Sequence, residues 1–333
     1  MRRLNILIWH IHGSYLNALA RIDHDWYLPT KPDRPEGYGG RGPTFDLPPN
    51  AIEVPAEQVR NLDLDLIVFQ TQRNATVDAD EILSEEQRRL PRIYLEHNTP
   101  KPDAANQRHP QGDSAALLVH VTHFNRLMWD NGRANTTVIE HSVGIDPSIR
   151  YDGSTERGIT IVNGMAQRPR IAGYDLFLET RERVPLDAAG MRTKEFGGLG
   201  DIPYRDLHRR MAEYRFMFSP LRYTSLPLAV IEGMTLGMPV VALATTELPT
   251  VIQHGETGYV SCDLKELVAC MRLLLANPDE ARRVGDNARR VASERFSMER
   301  FAQGWNEAFA RVTDLPANEF NVTPLRLEGS RWV

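Results

Sequence analysis

The 333-residue chain contains only two cysteines, Cys262 and Cys270. So low a count excludes a disulfide framework and fits a reducing compartment, and we expect both thiols to be packing residues within one helix. The chain also lacks an excess of basic residues, because its net charge is −5. We therefore expect no nucleic-acid partner, since binding a phosphate backbone requires a basic surface.

Long hydrophobic runs are missing as well. The first apolar run covers residues 4–9, far short of the ~20 residues that span a membrane, and no small-residue cleavage site follows it. We expect no integral membrane segment and a cytoplasmic protein. The hydrophobic fraction of 41% is that of ordinary globular proteins, and the length predicts two domains.

Short apolar runs alternate with amphipathic segments along the chain. The runs are continuous, as is typical of strands buried on both faces of a parallel sheet; they cover residues 4–9, 64–70, 92–98, 116–122, 136–142, 158–164, 215–220, 239–245 and 257–261. The helical patterns cover residues 174–184, 204–214, 263–278, 280–297 and 298–312. This alternation predicts doubly wound α/β units.

A polar, turn-rich stretch at residues 145–157 divides the two series of strands. We predict an amino-terminal Rossmann-like domain at 1–147, a carboxyl-terminal Rossmann-like domain at 148–312 and a tail at 313–333. Ligands bind such sheets at the carboxyl ends of the strands, here in a cleft between the domains. Residues 23–50 hold six prolines and four glycines, which favours a long loop after the first helix, used as an acceptor-binding flap.

The most informative stretch is residues 219–261. A strand there runs into a turn, and Thr224 and Ser225 suit a helix N-cap while Pro227 suits the first helical turn. The free N–H groups of a helix start form a phosphate site. Glu232 follows within the apolar sequence LPLAVIEGM, and a buried carboxylate needs partners.

Two partners for Glu232 remain open at this point, the hydroxyls of a ribose or a structural hydrogen bond to a neighbouring loop. Gly233 and Gly237 lie in the same helix, where each glycine costs about 1 kcal/mol relative to alanine. They indicate that another backbone or a ligand comes close to the helix.

Residues 219–261 resemble the nucleotide-sugar signature of family 4 glycosyltransferases, which are retaining enzymes of the GT-B fold. The residues in register with that signature are Glu232, Gly233, Met234, Gly237, Pro239, Val240 and Val241, and the similarity continues through 248–260 and 287–302. The resemblance implies two Rossmann-like domains facing across a cleft. It also implies retaining, metal-independent transfer from a UDP- or GDP-sugar to an acceptor hydroxyl, with no cofactor and with a glycan or lipid-linked acceptor.

The resemblance also assigns roles in donor binding. Glu232 becomes the ribose ligand, and the backbone around Ser225, Leu226 and Pro227 lies near the sugar or diphosphate, although proline offers no amide. Thr224 stands where the family has a glutamate that contacts the transferred sugar.

Cations after the first strand of the second domain hold the diphosphate in the family. Here Ala172 stands where the family has a lysine, so Arg168 and Arg170 are the available cations, with Gly164 in the same donor-binding stretch. Their guanidinium groups suit phosphate oxygens, and ordinary exposed loop arginines are the alternative.

In the amino half, Gly13 matches the family's glycine-containing loop and His97 matches a histidine beside the donor sugar. His97 would hydrogen-bond the sugar or stabilise charge near the anomeric carbon, and a histidine with only a structural role is the alternative. Asp-x-Asp occurs three times, at 23–25, 63–65 and 78–80, too often to be specific. His10 and His12 lack a third ligand, and we predict no metal site.

Two other functions stay open from the sequence. One is a non-catalytic sugar-nucleotide-binding protein of the same fold, suggested by Thr224 and Ala172. The other is a GT-B sugar epimerase or phosphorylase.

Overall fold

A computed structural model describes residues 2–313 of the chain, which form two parallel β-sheets surrounded by helices. The first sheet has the strand order β3-β2-β1-β4-β5-β6-β7. Its strands are β1 (Asn5–Ile8), β2 (Asp25–Thr30), β3 (Ala51–Pro55), β4 (Leu66–Phe69), β5 (Arg92–Glu96), β6 (Leu117–His120) and β7 (Thr136–Val138).

The second sheet has the order β12-β11-β10-β8-β9. Its strands are β8 (Thr155–Ile161), β9 (Leu186–Ala189), β10 (Tyr214–Ser219), β11 (Val240–Leu243) and β12 (Tyr259–Ser261). Strands β4, β6, β10 and β11 are buried at every position, as their continuous apolar runs predict for a sheet covered on both faces.

The helices are α1 (Gly13–Leu19), α2 (Ala79–Ile82), α3 (His123–Met128), α4 (Pro169–Ala172), α5 (Tyr174–Arg181), α6 (Tyr204–Glu213), α7 (Leu228–Leu236), α8 (Leu248–Val251), α9 (Leu264–Ala276), α10 (Pro278–Arg295) and α11 (Met298–Thr313). Short 3₁₀ turns lie at Ala56–Asn61, Gln87–Arg89 and Thr193–Phe196, and a π-helical turn at Asn74–Asp78. In the described part of the chain, none of these helices combines the length and apolarity needed to cross a bilayer.

The prediction of one long loop over residues 23–50 is wrong at its start, where β2 forms. Only Pro29 among the six prolines lies within β2, and Trp26 and Leu28 are fully buried. The proline density of the whole segment therefore concealed a short strand with two core side chains. Strands β3 and β9 are also additions to the predicted set.

The two cysteines do not share a helix. Asp263 caps α9 by accepting a hydrogen bond from the Lys265 amide at 2.8 Å, so the helix begins after Cys262. Cys262 is exposed, and Cys270 lies half-buried within α9. The expectation that both pack in one helix is wrong for Cys262.

The last described helix, α11, packs against the first sheet. Phe301, Trp305 and Phe309 belong to the same hydrophobic core as Ile6 and Tyr15, and the Trp305 indole donates to the Tyr15 hydroxyl at 3.1 Å. The predicted boundaries at 147 and 312 stay a prediction, but the apolar face of α11 packs with the first domain. Residues 314–333 of the predicted tail lie outside the described residues.

The backbone that comes close to Gly237 is that of α10. Gly237 ends α7 in the left-handed conformation, with a φ of +86°, which favours glycine. A Cβ added to Gly285 of α10 would lie 1.9 Å from the Gly237 carbonyl oxygen. The glycine in α10 is therefore what lets the two helices approach.

Replacing Gly285 by alanine should lower the free energy of unfolding by about 2 kcal/mol or more, because α7 and α10 must separate to admit the methyl group. Gly304→Ala is the matched control. Its Cβ would meet only the Ile139 side chain, with Cγ2 at 3.3 Å and Cγ1 at 3.7 Å. Urea denaturation of both variants measures the difference, and equal losses would contradict the packing argument.

Candidate functional site

The two domains contact each other at the loops that follow their strands. The Asn125 side-chain amide donates to the Ser225 hydroxyl at 3.3 Å, and the Tyr223 hydroxyl donates to the Pro100 carbonyl at 3.2 Å. The Phe124 backbone amide donates to Oε2 of Glu247 at 2.7 Å. The carboxyl ends of both sheets therefore face one another, as the predicted cleft requires.

Glu247 is an interdomain residue that the sequence did not single out. It precedes α8 in the second domain, yet its carboxylate accepts the hydrogen bond from the first turn of α3 in the first domain. Arg295 joins the same contact, since it pairs with Glu140 of the first domain and lies 3.5 Å from Glu247. A carboxylate at a helix N-terminus is favourable, so this contact stabilises the arrangement of the two domains.

Helix α7 begins at Leu228, so the predicted N-cap at Thr224 or Ser225 and the predicted place of Pro227 in the first turn are wrong. Pro227 is its N-cap, with φ −64° and ψ 129°, and makes no side-chain capping bond. The Ser225 hydroxyl is engaged by Asn125 instead of capping the helix. Ser225 and Leu226 are buried and Thr224 is half-buried, so the structure brings these donor-site candidates together at the domain contact.

Glu232 lies in the middle of α7 and is only 4% exposed. Its neighbours Val230, Ile231 and Met234 are fully buried, because nearly the whole circumference of this apolar helix is covered. His208 Nε2 of α6 lies 3.2 Å from Glu232 Oε1, without hydrogen-bond geometry. Burial and the nearby Glu232 charge raise the pKa of the Tyr204 hydroxyl.

The Glu232 carboxylate keeps unused acceptor capacity. An ionised carboxylate offers about four acceptor positions, and within residues 2–313 only His208 stands at ion-pair distance from it. Neither carboxylate oxygen is both fully buried and without a hydrogen-bond partner. Among the described residues no loop donates a hydrogen bond to Glu232, and the polar side chains next to its carboxylate are those of Tyr204 and His208 on α6.

The predicted phosphate cations differ in their availability. Arg168 is exposed and donates to the Asn163 carbonyl at 2.7 Å, beside Gly164, which has a φ of +57°. Arg170 is paired with Asp175 at 2.7 Å. Arg168 is therefore the cation of the two that is free of an acidic partner among the described residues.

Two residues explain why the loop after β8 offers few cations. Ala172 is fully buried, and a Cβ on the next residue, Gly173, would lie 2.0 Å from the Pro220 carbonyl. The close contact at Gly173 holds this backbone against the end of β10, and the Ala172 side chain points into the core. Arg222, which follows β10, is the second arginine bound to Asp175 and was not a candidate from the sequence.

His97 follows β5 and is held in one tautomer. The Gln70 amide nitrogen donates to the Trp9 carbonyl at 2.6 Å, so its oxygen faces His97 Nε2 at 2.9 Å. His97 Nε2 must then carry the proton, because the amide oxygen can only accept. Burial lowers the pKa of His97 well below its usual value, so the ring is neutral.

Other aromatic groups surround His97 in the first domain. The rings of His12 and Tyr15 lie 4.1 and 4.8 Å from it, and Gly13 begins α1 between these two residues. His141 packs edge-on against Tyr15. Gln70 and His141 were missed by sequence reasoning, because neither carries a local motif; only the fold brings them to the end of the first sheet.

Acid should destabilise the protein through His141. Burial lowers the pKa of His141 from 6.5 to about 3, so the unfolded chain binds a proton at His141 more readily than the folded protein does. The free energy of unfolding therefore falls as the pH drops from 6.5 towards 3. Between pH 7 and pH 5 the loss from His141 is about 2 kcal/mol. Urea denaturation against pH should show a shallower slope for His141→Phe and the original slope for the exposed His123→Gln; identical slopes would contradict this.

Within residues 2–313, no three His, Cys, Asp or Glu side chains are grouped so that they could hold a metal ion. His10 Nδ1 contacts the Gly40 carbonyl oxygen at 2.6 Å, while His12 lies against His97. The two histidines therefore have different neighbours.

The sequence and fold are similar to those of known glycosyltransferases. Residues 170–277 match the family model of glycosyl transferases group 1. MMP alpha-(1->4)-mannosyltransferase of Mycolicibacterium hassiacum is 35% identical over 122 residues, which cover 34% of this chain and 29% of the relative. O-antigen chain mannosyltransferase B of Escherichia coli is 27% identical over 228 residues, which cover 57% of this chain and 59% of the relative.

Solved structures resemble the whole described chain. Anabaena HepE in complex with UDP has a TM-score of 0.69 at 16% identity, covering 93% of this chain and 100% of that one. Sucrose-phosphate synthase from Thermosynechococcus elongatus has a TM-score of 0.69 at 16% identity, covering 94% and 100%. These similarities and the two parallel sheets confirm the predicted two-domain GT-B fold. The chain aligns with less than two thirds of the length of each curated relative described above.

Proposed function

Because residues 170–277 match the family model of glycosyl transferases group 1 and the chain has a GT-B fold, we propose that the protein transfers a sugar from a nucleoside-diphosphate donor to an acceptor hydroxyl. The observation that carries the proposal is Glu232. A buried carboxylate with free acceptor positions, about one turn from the start of α7, suits the two hydroxyls of a ribose.

The diphosphate would lie at the start of α7. The amides of Ser225 and Leu226 and the positive end of the helix dipole stabilise the charge that develops as the diphosphate leaves. Arg168 adds a fixed cation from the loop after β8. Fixed dipoles and a cation can do this work without a metal ion, and the proposed reaction is metal-independent.

We propose that the configuration of the sugar is retained, as the family resemblance implies. The acceptor hydroxyl approaches the face from which the diphosphate leaves, and a phosphate oxygen takes its proton. His97, neutral and held by Gln70, hydrogen-bonds the sugar and takes no proton. The chain contributes orientation and leaving-group stabilisation.

The donor is proposed from the relatives. The solved complex of HepE contains UDP, and both curated relatives described above are mannosyltransferases. A UDP- or GDP-sugar is therefore the proposed donor, and the acceptor is a glycan or a lipid-linked molecule.

Thermal unfolding with UDP-, GDP- and ADP-sugars tests the donor class. A ligand at a hundred times its Kd stabilises the folded protein by about 2.7 kcal/mol, and we expect one nucleotide class to do so. Product analysis with excess EDTA then tests metal independence, and the anomeric configuration of the product tests retention. If no nucleoside diphosphate or its sugar stabilises the protein, the proposal is wrong.

A second function is favoured by the lack of two family groups. Thr224 replaces an acid, and the buried Ala172 replaces a cation. A protein with such a site could bind a sugar nucleotide without transferring it. Calorimetry that shows donor binding, together with no turnover over many acceptors and no donor hydrolysis, would support this alternative over transfer.

A further inference from the structure

Residues 31–50 form a strap that is fastened firmly to the first domain. Arg34 pairs with Glu53 at 2.8 Å, and the same carboxylate accepts the Arg41 amide at 2.8 Å. The Gly40 carbonyl contacts His10 at 2.6 Å. The strap therefore has a defined position on the first domain.

Phe45 is a strap residue that contacts the second domain. Its ring packs against the first-domain core, and a Cβ on Gly13 would lie 2.6 Å from its Cε2. On its other side the ring lies 4.5 Å from the Tyr204 ring, at an angle of 60°. Phe45 thus lies between the start of α1 and the start of α6.

Tyr204 continues this contact to the proposed ribose site. Its ring lies 4.9 Å from the His208 ring, one turn along α6, and His208 lies 3.2 Å from Glu232. Burial and the nearby Glu232 charge also raise the pKa of the Tyr204 hydroxyl. The contacts run without a break from the strap to the Glu232 carboxylate.

We infer that Phe45 and Tyr204 close the nucleoside end of the donor site, so that the strap acts on the donor. This differs from the acceptor-binding flap that the composition of residues 23–50 favoured. Phe45 is a positioning residue, since it acts through Tyr204. The inference rests on the proposed function, because it requires Glu232 to hold the ribose.

A double-mutant cycle tests the inference with UDP and GDP as ligands and calorimetry as the measurement. Phe45→Ala and Tyr204→Ala should each weaken the tighter-binding nucleotide by about tenfold, the scale of one lost aromatic contact with its packing. The double variant should lose little more than either single variant, because each change already breaks the same contact. Additive losses would overturn the inference.

Two further variants separate closure from folding. Phe45→Leu keeps apolar packing on the first domain but removes the aromatic face, so it should unfold near the wild-type temperature and still bind the nucleotide several-fold more weakly. Leu127→Ala changes an exposed first-domain side chain and should leave the Kd unchanged. A Phe45→Leu variant with wild-type affinity would overturn the inference.

The outcomes distinguish the inference from the proposed function. If Glu232→Ala loses nucleotide binding while Phe45→Ala keeps it, only the role of the strap is wrong. If the wild-type protein binds neither UDP nor GDP, or Glu232→Ala binds as tightly as the wild type, the ribose site is wrong and the inference fails with it.

Discussion

Replacing Glu232 by alanine should weaken binding of the preferred nucleoside diphosphate by at least about 100-fold. The carboxylate would accept hydrogen bonds from two ribose hydroxyls, and each bond to a charged group contributes about 1.5–3 kcal/mol. The unliganded variant should unfold at or above the wild-type temperature, because the side chain that is removed is a buried charge with few partners. Calorimetry and thermal unfolding measure these two effects separately.

The matched control for Glu232 is Glu182→Ala. Glu182 is an exposed carboxylate of the same domain, so its removal should change neither the affinity nor the unfolding temperature. Should Glu232→Ala retain affinity within about threefold of the wild type, the ribose does not bind at this carboxylate.

Trp305→Ala should cause the largest loss of stability. Trp305 is fully buried between α11 and the first sheet and donates a hydrogen bond to Tyr15. Truncating a buried tryptophan costs about 3–5 kcal/mol, and the Tyr15 hydroxyl loses its donor. Urea denaturation measures the loss, and hydrogen exchange should show that strands of the first sheet lose protection.

Two variants control the Trp305 experiment. Trp305→Phe keeps an aromatic ring in the core and should lose less than Trp305→Ala. Leu273→Ala truncates a side chain that is 45% exposed on α9, and its effect should be below about 1 kcal/mol. If hydrogen exchange instead localised the damage from Trp305→Ala in the second sheet, α11 would not stabilise the first domain.

Much of the fold could be predicted from the sequence, because parallel strands that are buried on both faces have continuous apolar sequences. Residues 66–69 and 240–243 show this pattern, and both form strands. Strand β2 was not predicted, because it mixes polar and apolar residues and contains Pro29. The packing of α11 on the first sheet was not predicted either. An apolar stripe shows that one face of a helix is buried, but it does not show which element covers that face.

The candidate site was partly accessible from the sequence. Glu232 stands out because a charge inside an apolar helix is costly, and its burial is as expected. Tyr204 and His208 are four residues apart on a predicted helix and therefore share one face, a signal that could have drawn attention to them. Glu247 and Gln70 gave no such signal, since Glu247 accepts a hydrogen bond from Phe124, 123 residues away, and Gln70 donates one to Trp9, 61 residues away.

The position of α11 also has a consequence for biosynthesis. Tyr15 and Trp305 are separated by 290 residues, so the core of the first domain is completed by a helix that is synthesised after the strands of both sheets. Domains usually fold in order of synthesis. Here one apolar face of the first sheet stays exposed until α11 has been synthesised. Chaperone dependence during translation should therefore be greater for this domain than for the second one.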